Sequence, residues 1–404
     1  MKRRILFVDD EPNVLLGLKR MLRSQRHEWD MAFAGGGAEG LTLMEKEPFD
    51  VVVSDMRMPG MDGAEFLTAV MSRYPDVVRL ILSGHSEWEL IMKSVGPAHQ
   101  YLTKPCAAEE LKTTVAQAFA LRELLADHNL RTLVSRMETL PSLPALYQRI
   151  LAALRSPDAS CSVVAEIVSQ DPAMAAKVLQ LVNSAFFGLP QQISSPAQAV
   201  TLLGLDAVKS LVLSVNVFAE FDPQRIKDLS LDTLWTHCMA AGSVAKRIAQ
   251  MESHDAKLWD DALLAGLLHD IGKLVVVANL PDVYAAIQQR AAAGDFELVE
   301  AERDELGATH AEVGAYLLGL WALPDPIVEA VAFHHRPSQC LSHGFTPLTA
   351  VHAANCLEVT VEPDDGARLA HGLDRDYLAG LGLTEHIPEW QEFCFPLANE
   401  TATR

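Results

Sequence analysis

Five short apolar segments near the start of the chain constrain its fold more than any other feature. They are RILFV (4–8), DMAFA (30–34), DVVVS (50–54), RLILS (79–83) and HQYLT (99–103). Amphipathic stretches such as NVLLGLKRMLRS (13–24) separate them and carry apolar residues at helical spacing. Short strands that alternate with helices are typical of a parallel sheet covered by helices on both faces. We therefore expect an α/β domain with a five-stranded, doubly wound parallel sheet.

Polar side chains follow these predicted strands at the point where each one ends. Asp9 and Asp10 end the first strand, Asp55 the third, Ser83 the fourth and Lys104 the fifth. Because the carboxyl ends of parallel strands meet at one edge of a sheet, these groups should share a cleft. Crowded carboxylates need a cation, and an all-oxygen site suits Mg²⁺. A carboxylate beside Mg²⁺ can attack a phosphoryl group, whose oxygens the lysine and the hydroxyl could then hold.

The motifs around these residues, VDDEP, SDMRMPGMDG, LSGH and YLTKP, closely resemble the receiver domain of bacterial two-component response regulators. The resemblance covers about residues 3–120 and implies a flavodoxin-like fold. It also implies that a histidine kinase phosphorylates Asp55. It implies that Mg²⁺ is bound by Asp9, Asp10, Asp55 and the Met56 carbonyl. It implies catalytic or switch roles for Ser83, Tyr101 and Lys104, and a cis peptide at Lys104–Pro105.

The segment after the receiver-like region is helical in pattern. No glycine or proline interrupts the sequence from Ala107 until Pro141, which predicts one long helix leaving the first domain. Such a helix could form a two-chain seam and make the protein a homodimer. Alternatively, it packs only on its own domain. Its apolar spacing drifts from a strict heptad, so both interpretations stay open.

The second half of the chain is expected to be all-helical. Asp171-Pro172 and Ser195-Pro196 have the pattern of helix starts, whereas Gly188 and Gly204 have that of helix stops. The predicted helices fall near 143–155, 160–169, 172–186, 196–203, 205–219 and 228–252.

Three motifs in this half, QDPAM, LVNSAFFG and AVTLLGLDAVKSLVL, are similar to those of the HDOD family, an output domain related to the HD phosphohydrolases. The similarity runs from about residue 138 to 335 and weakens towards 360. It implies a regulatory output module that binds a downstream protein or a nucleotide. We divide the chain into a receiver domain (1–122), a helical linker (123–139), the output domain (140–360) and a C-terminal helical extension (361–404).

The segment LLHDIGKL (267–274) contains the histidine–aspartate pair of the HD enzymes. Those enzymes hold metal ions with imidazoles and carboxylates, and a metal-bound water then attacks phosphorus. Other histidines match the order and rough spacing of the two-metal HD enzymes, which include the HD-GYP phosphodiesterases, and Lys273 matches that family's lysine. The resemblance implies Fe or Mn bound by His237, His269, Asp270, His310, His334 and His335.

Two departures weaken this resemblance. The HD enzymes usually end their ligand set with an aspartate, but VHAANCLE places Asn355 at that position. Asparagine offers a carbonyl oxygen without negative charge, which leaves two dications under-compensated. HHRPSQCLSHG also lacks the GYP segment after the paired histidines, which argues against cyclic di-GMP hydrolysis.

Composition narrows the functional classes. The formal net charge of −20 and the lack of a basic recognition helix disfavour direct DNA binding. No apolar run is long enough to span a membrane, and the apolar stretch in MKRRILFVDDEP is too short for the core of a signal peptide. No cysteines pair as CxxC. We therefore expect a cytoplasmic protein. Two functions stay open: a phosphorylation-controlled response regulator, or a receiver-regulated, metal-dependent phosphohydrolase.

Overall fold

The computed structural model describes most of the chain in two contacting domains. The described residues are 2–83, 97–137, 140–142, 144–156, 159–183, 192–205, 207–208, 212, 218–220, 231–292, 298–341, 344–358 and 372–392. Within these ranges, no helix is both long and apolar enough to cross a bilayer.

The first domain contains the expected parallel sheet. Its strands are β1 (Arg3–Val8), β2 (Trp29–Ala34), β3 (Val51–Asp55), β4 (Val78–Ser83) and β5 (Gln100–Thr103). The strand order is β2-β1-β3-β4-β5, and every neighbouring pair is parallel. Strands β3 and β4 are buried along their whole length, as expected for a parallel sheet with both faces covered. The predicted α/β fold class is confirmed.

Four described helices belong to this domain: α1 (Pro12–Met21), α2 (Gly37–Lys46), α3 (Gly63–Arg73) and α4 (Ala108–Leu124). Helix α3 starts at a capping box, in which the Asp62 side chain accepts from the Glu65 backbone and the Glu65 side chain accepts from Asp62. Gly63, the first residue of α3, lies directly against the strand end, since a Cβ there would overlap the Asp55 carbonyl oxygen. The start of α3 is therefore fixed beside Asp55.

The prediction of one long helix after the first domain is wrong. Helix α4 ends at Leu124, and Leu125 is extended and buried. Asp127 then starts a new helix, α5 (His128–Ser135), because its side chain accepts a hydrogen bond from the Leu130 backbone. An aspartate that bonds to nearby backbone N–H groups favours a helix start over a helix interior. Both α4 and α5 pack on a helix of the second domain of the same chain, α15 (His310–Leu320).

The second domain is mostly helical, as predicted. Its other helices are α6 (Pro144–Arg155), α7 (Cys161–Ser169), α8 (Pro172–Val182), α9 (Pro196–Leu203), α10 (Leu231–Glu252), α11 (Ala256–Leu268), α12 (Ile271–Asn279), α13 (Pro281–Ala292), α14 (Leu298–Leu306), α16 (Asp325–Phe333), α17 (Pro347–Glu358) and α18 (Arg375–Gly380). Asp171 and Ser195 cap α8 and α9 with their side chains, and Gly204 ends α9 with a positive φ of 76°. The predicted stop at Gly188 and most of the predicted helix 205–219 lie outside the described residues.

A small feature of this domain was not predicted. Strands β6 (Leu140–Ser142) and β7 (Phe218–Glu220) form a two-stranded parallel sheet. Three-residue strands carry too little alternation for a sequence pattern to reveal them.

Close helix packing positions the segment LLHDIGKL (267–274), which contains His269 and Asp270. Helices α10 and α11 cross at Gly242 and Gly266, where a Cβ on Gly266 would lie 2.6 Å from the Gly242 Cα. Helix α12 meets α15 at Gly272, because a Cβ at that position would overlap the His310 carbonyl oxygen. These contacts fix the ends of α11, α12 and α15 close together.

Candidate phosphorylation site and metal centre

The acidic residues at the strand ends of the first domain meet in one cleft. Carboxylate oxygens of Asp9, Asp10 and Asp55 lie within 4.8 Å of one another. Lys104 donates to Asp9 Oδ2 at 2.7 Å and forms an ion pair with Asp55. Asp9 and Asp55 are buried, and the ion pairs with Lys104 supply positive charge that balances them. Three convergent carboxylates form an oxygen ligand set of the kind that Mg²⁺ prefers.

Burial and charge set the ionisation of this cleft. Burial raises the pKa of Asp55, which the hydrogen bond and charge of Lys104 only partly oppose. For Lys104, burial lowers the pKa, but the hydrogen bonds with Asp55 and Asp9 outweigh this and raise it. Lys104 therefore stays protonated, and a bound cation would further favour the carboxylate form of Asp55.

The remaining predicted residues lie on or beside the strands next to β3. Ser83 is buried at the end of β4, and Tyr101 is buried near the start of β5, opposite Ile81. The Met56 carbonyl accepts from the Gly63 backbone at 2.8 Å, which leaves one lone pair for a metal ion. The Lys104–Pro105 peptide is cis, as the resemblance implied.

The six predicted residues of the second domain also converge, although they come from five helices. His237 belongs to α10, His269 and Asp270 lie between α11 and α12, His310 starts α15, and His334-His335 follow α16. They form two groups whose ligand atoms lie within 4.8 Å of one another: the first subsite, His237, His269 and Asp270, and the second subsite, His310, His334 and His335.

Asp270 belongs to the first subsite and also faces the second. Its Oδ2 is 3.4 Å from His237 Nε2, and its Oδ1 is 3.1 Å from His310 Nε2. Lys273, one turn along α12, donates to Asp270 Oδ2 at 2.6 Å. Burial raises the pKa of Asp270, but His269, Lys273 and His310 outweigh this and hold it well below its usual value. Asp270 is therefore a carboxylate that faces both groups of imidazoles.

Hydrogen bonds fix which ring nitrogen of three histidines carries the proton. His269 Nδ1 lies 2.7 Å from the Gly266 carbonyl, and His334 Nδ1 lies 2.8 Å from the Val331 carbonyl. Because a carbonyl can only accept, each Nδ1 is protonated and each Nε2 carries a lone pair. His310 has the same arrangement, since its Nδ1 lies 2.7 Å from a carboxylate oxygen of Glu302. All three Nε2 atoms are thus set up as metal ligands.

The centre contains polar atoms that the protein leaves unsatisfied. Within the described part of the chain, buried His334 Nε2 has no hydrogen-bond partner, and buried Asp270 Oδ1 also has none, because the His310 Nε2 atom 3.1 Å away carries a lone pair. An unsatisfied buried polar atom costs roughly 1–3 kcal/mol. A metal ion between these atoms would remove that cost, so the residues fit a metal centre.

Burial also keeps most of these imidazoles neutral, which is the form that binds metals. It lowers the pKa of His269 to about 4 and that of His335 to about 2. The pKa of His334 likewise falls well below its usual value because of burial and the neighbouring histidines. His310 differs: burial lowers its pKa, but the charge of Glu302 outweighs this and raises it.

Glu302 is a site residue that the sequence did not reveal. It lies on α14 and is fully buried, and its carboxylate accepts from both the ring Nδ1 and the backbone N of His310. A carboxylate on the far nitrogen of a ligand histidine orients the ring and makes it a stronger ligand. The segment EAERDEL offers four acidic residues, and nothing in their spacing distinguishes Glu302 from its neighbours.

Asn355 lies on α17, which packs against α10, α11 and α16. On the same helix, His352 Nδ1 is 2.7 Å from the His334 carbonyl, so α17 borders the metal centre. Asn355 follows His352 by about one turn and is half-buried. Its role as a replacement ligand stays a prediction.

Two family models match the chain, one for each domain. The response regulator receiver domain matches residues 5–116, and the HDOD domain matches residues 140–337. This chain is a receiver–HDOD response regulator. The receiver match contains the acidic cleft from Asp9 to Lys104, and the HDOD match contains all six candidate ligands from His237 to His335. Asn355 lies beyond the HDOD match.

Several known proteins resemble parts of this response regulator. An uncharacterised protein of Treponema pallidum is 29% identical over 210 residues, which are 51% of this chain and 39% of that protein. The hydrogenase transcriptional regulatory protein HoxA of Cupriavidus necator is 34% identical over 182 residues, 41% of this chain and 37% of HoxA. This chain therefore spans less than two fifths of either relative. The MmoQ response regulator of Methylococcus capsulatus is 22% identical, with a TM-score of 0.46, over 63% of this chain and 98% of the MmoQ structure.

Proposed function

We propose that phosphorylation of Asp55 by a histidine kinase controls the HDOD domain. The observation that carries this proposal is the convergence of Asp9, Asp10 and Asp55 in one cleft, where Lys104 pairs with Asp9 and Asp55. Magnesium, held by the three carboxylates and the Met56 carbonyl, would supply positive charge for the incoming phosphoryl group.

Each residue of the cleft has a separate role in phosphoryl transfer. An Asp55 carboxylate oxygen attacks phosphorus, and the bond from phosphorus to the kinase histidine breaks. Lys104 exchanges its ion pair with Asp55 for one with a phosphoryl oxygen, and the Ser83 hydroxyl donates to another. Ser83 ends β4 and Tyr101 lies on the neighbouring β5, so a shift at Ser83 can be passed to the domain surface through Tyr101.

Phosphorylation can be tested on the full chain with a small phosphodonor. Incubation with acetyl phosphate and Mg²⁺ should add one phosphoryl group to the wild-type chain, as measured by intact mass. The Asp55→Asn variant should add none, whereas Asp30→Asn, at an exposed position of β2, should behave as wild type. Equal phosphorylation of Asp55→Asn and wild type would reject the assignment.

The metal centre favours a second function, a metal-dependent phosphohydrolase in the HDOD domain. The observation that supports it is the set of fixed Nε2 lone pairs around the unsatisfied atoms of Asp270 and His334. Bound Fe or Mn would make a coordinated water acidic enough to attack a phosphoester. The chain's own groups orient the ligands: Glu302 holds His310, and Lys273 keeps Asp270 ionised. Nucleotide phosphodiesters are the proposed substrates, and the missing GYP segment argues against cyclic di-GMP.

Metal content decides between an active centre and a binding module. Chain purified without oxygen should contain close to two Fe or Mn ions. His269→Ala should lose metal, whereas His254→Ala, an exposed histidine beyond α10, should not. A screen of nucleotide phosphodiesters on the loaded protein then tests hydrolysis. Wild-type protein that stays metal-free after supplementation with Fe and Mn would exclude the enzyme and leave a module that binds a protein or a nucleotide.

A further inference from the structure

Two helices of the HDOD domain touch the candidate metal centre at one end and the receiver at the other. Helix α15 starts at His310, and its last turn contains Gly319. Helix α16 starts at Asp325 and ends directly before His334 and His335. Each helix therefore spans about 14 Å between the receiver contact and the metal ligands, at 1.5 Å per residue. The second subsite, which consists of His310, His334 and His335, is carried entirely by these two helices.

The receiver contacts α15 through a side chain and a hydrogen bond. Leu121 of α4 lies directly against Gly319, where an added Cβ would overlap the leucine methyl group. Gln100 is buried and donates to the Gly319 carbonyl at 2.9 Å. Gln100 precedes Tyr101 on β5, so the switch residue and the contact with α15 belong to the same strand.

The receiver contacts α16 through Gln117. Its amide donates to both carboxylate oxygens of Asp325, at 3.0 and 3.2 Å. Gln117 and Leu121 are four residues apart on α4 and so lie on one face of that helix. One face of one receiver helix therefore contacts both helices that carry the second subsite.

The first subsite has different support. Helix α10, which carries His237, packs most extensively on α11 and α17. His269 directly follows α11, whose main packing partners are α10, α16 and α17. Helix α11 thus shares α16 with the second subsite, and α12, which follows Asp270, packs on α15, whereas the main partners of α10 are neither α15 nor α16.

The contact between the domains is not fully packed. An open cleft of about 290 Å³ lies beside this contact, and Gln117, Leu121, Gly319, Asp325 and Phe333 contribute to its walls. The receiver helix can therefore shift on α15 and α16 without unpacking either domain core.

We propose that the receiver controls metal binding at the second subsite more strongly than at the first, through the contact of Gln117 and Leu121 with α15 and α16. This inference rests on the proposed metal-binding function. When α4 contacts Gly319 and Asp325, it fixes the ends of α15 and α16 that face the receiver. This fixes the position of His310 relative to His334 and His335. When α4 shifts, the three imidazoles lose their common geometry, and the second subsite loses metal affinity before the first.

Equilibrium dialysis of the full chain against Mn²⁺ tests the proposal. In excess Mg²⁺, which occupies the carboxylate cleft of the receiver, wild type should bind two Mn²⁺ ions in the HDOD domain. Gln117→Ala/Leu121→Ala should keep one binding step and weaken the other at least about tenfold. His335→Ala should weaken the same step, so that adding it to the double variant changes little. Gln117→Glu, which places a carboxylate against Asp325 at an exposed position, should reproduce the effect. Thr113→Ala, at an exposed position of α4, is the matched control and should leave both steps unchanged.

The possible outcomes distinguish failure of the proposed metal-binding function from failure of the proposed control by the receiver. If wild type bound no Mn²⁺, the proposed metal function and this inference would both fail. If wild type and the folded contact variants bound two ions equally well, the inference alone would fail. Equal weakening of both steps in variants with wild-type circular dichroism would also overturn it, because the effect would not be stronger at the second subsite.

Discussion

At the scale of single residues, the metal centre depends on groups that bind no metal themselves. Glu302, Gly266 and Val331 accept the Nδ1 protons of three histidines and thereby direct the Nε2 lone pairs inwards. Among these acceptors Glu302 is the charged one, and it is also the acceptor that a side-chain substitution can remove.

Glu302→Gln should reduce metal affinity at the second subsite by about 10- to 100-fold, the usual effect of losing such a carboxylate partner. The amide can still accept a hydrogen bond, but it no longer raises the pKa of His310. Glu300→Gln, on the same helix, is the control. Dialysis against Mn²⁺ measures the effect, and unchanged affinity in Glu302→Gln would show that the carboxylate does not support the ligand.

At the scale of helices and strands, the sequence predicts the individual elements better than the contacts between them. The strands lie close to their apolar segments because continuous burial leaves a strong pattern in the sequence. Asp9, Asp55 and Lys104 then meet because the carboxyl ends of parallel strands share an edge. The break at Asp127 was missed because no glycine or proline marks it. The contact between Leu121 and Gly319 joins residues about 200 positions apart and leaves no local pattern. Glu302, only eight residues from His310, was missed because nothing distinguishes it from the other acidic residues of EAERDEL.

The packing of α12 on α15 can be tested through the glycine of LLHDIGKL. Gly272→Ala should destabilise the protein by about 1–3 kcal/mol, because the new methyl group overlaps the His310 carbonyl and forces the helices apart. Gly17→Ala, in an exposed part of α1 with open space around it, should stabilise the chain slightly. Urea unfolding compares the two variants. Equal midpoints would mean that α12 and α15 are not in such close contact.

At the scale of the whole molecule, the buried histidines make stability depend on pH. The pKa of His269 falls from its usual value to about 4 on folding because burial disfavours the charged ring. Between about pH 6.5 and 4 the unfolded chain therefore binds more protons than the folded chain, and stability falls as the pH falls. Above about pH 6.5, His269 is neutral in both states and has no such effect.

Metal-free protein should thus lose about 2 kcal/mol of stability between pH 7 and pH 5 from His269 alone. His269→Asn should flatten this dependence, whereas His254→Asn, at an exposed position, should preserve it. Chelator-treated samples in urea at the two pH values provide the measurement. A slope that is the same in wild type and His269→Asn would contradict the assignment of a neutral, buried imidazole.

The length of α15 has a consequence for how such proteins can vary. Each residue inserted into a helix turns everything beyond it by about 100° and moves it by 1.5 Å. An insertion between His310 and Gly319 would therefore rotate the histidine away from Asp270 or rotate the glycine away from Leu121. Receivers could be exchanged between proteins of this architecture only together with the α4 residues that recognise α15 and α16. The two domains would have to evolve as one unit in spite of their separate folds.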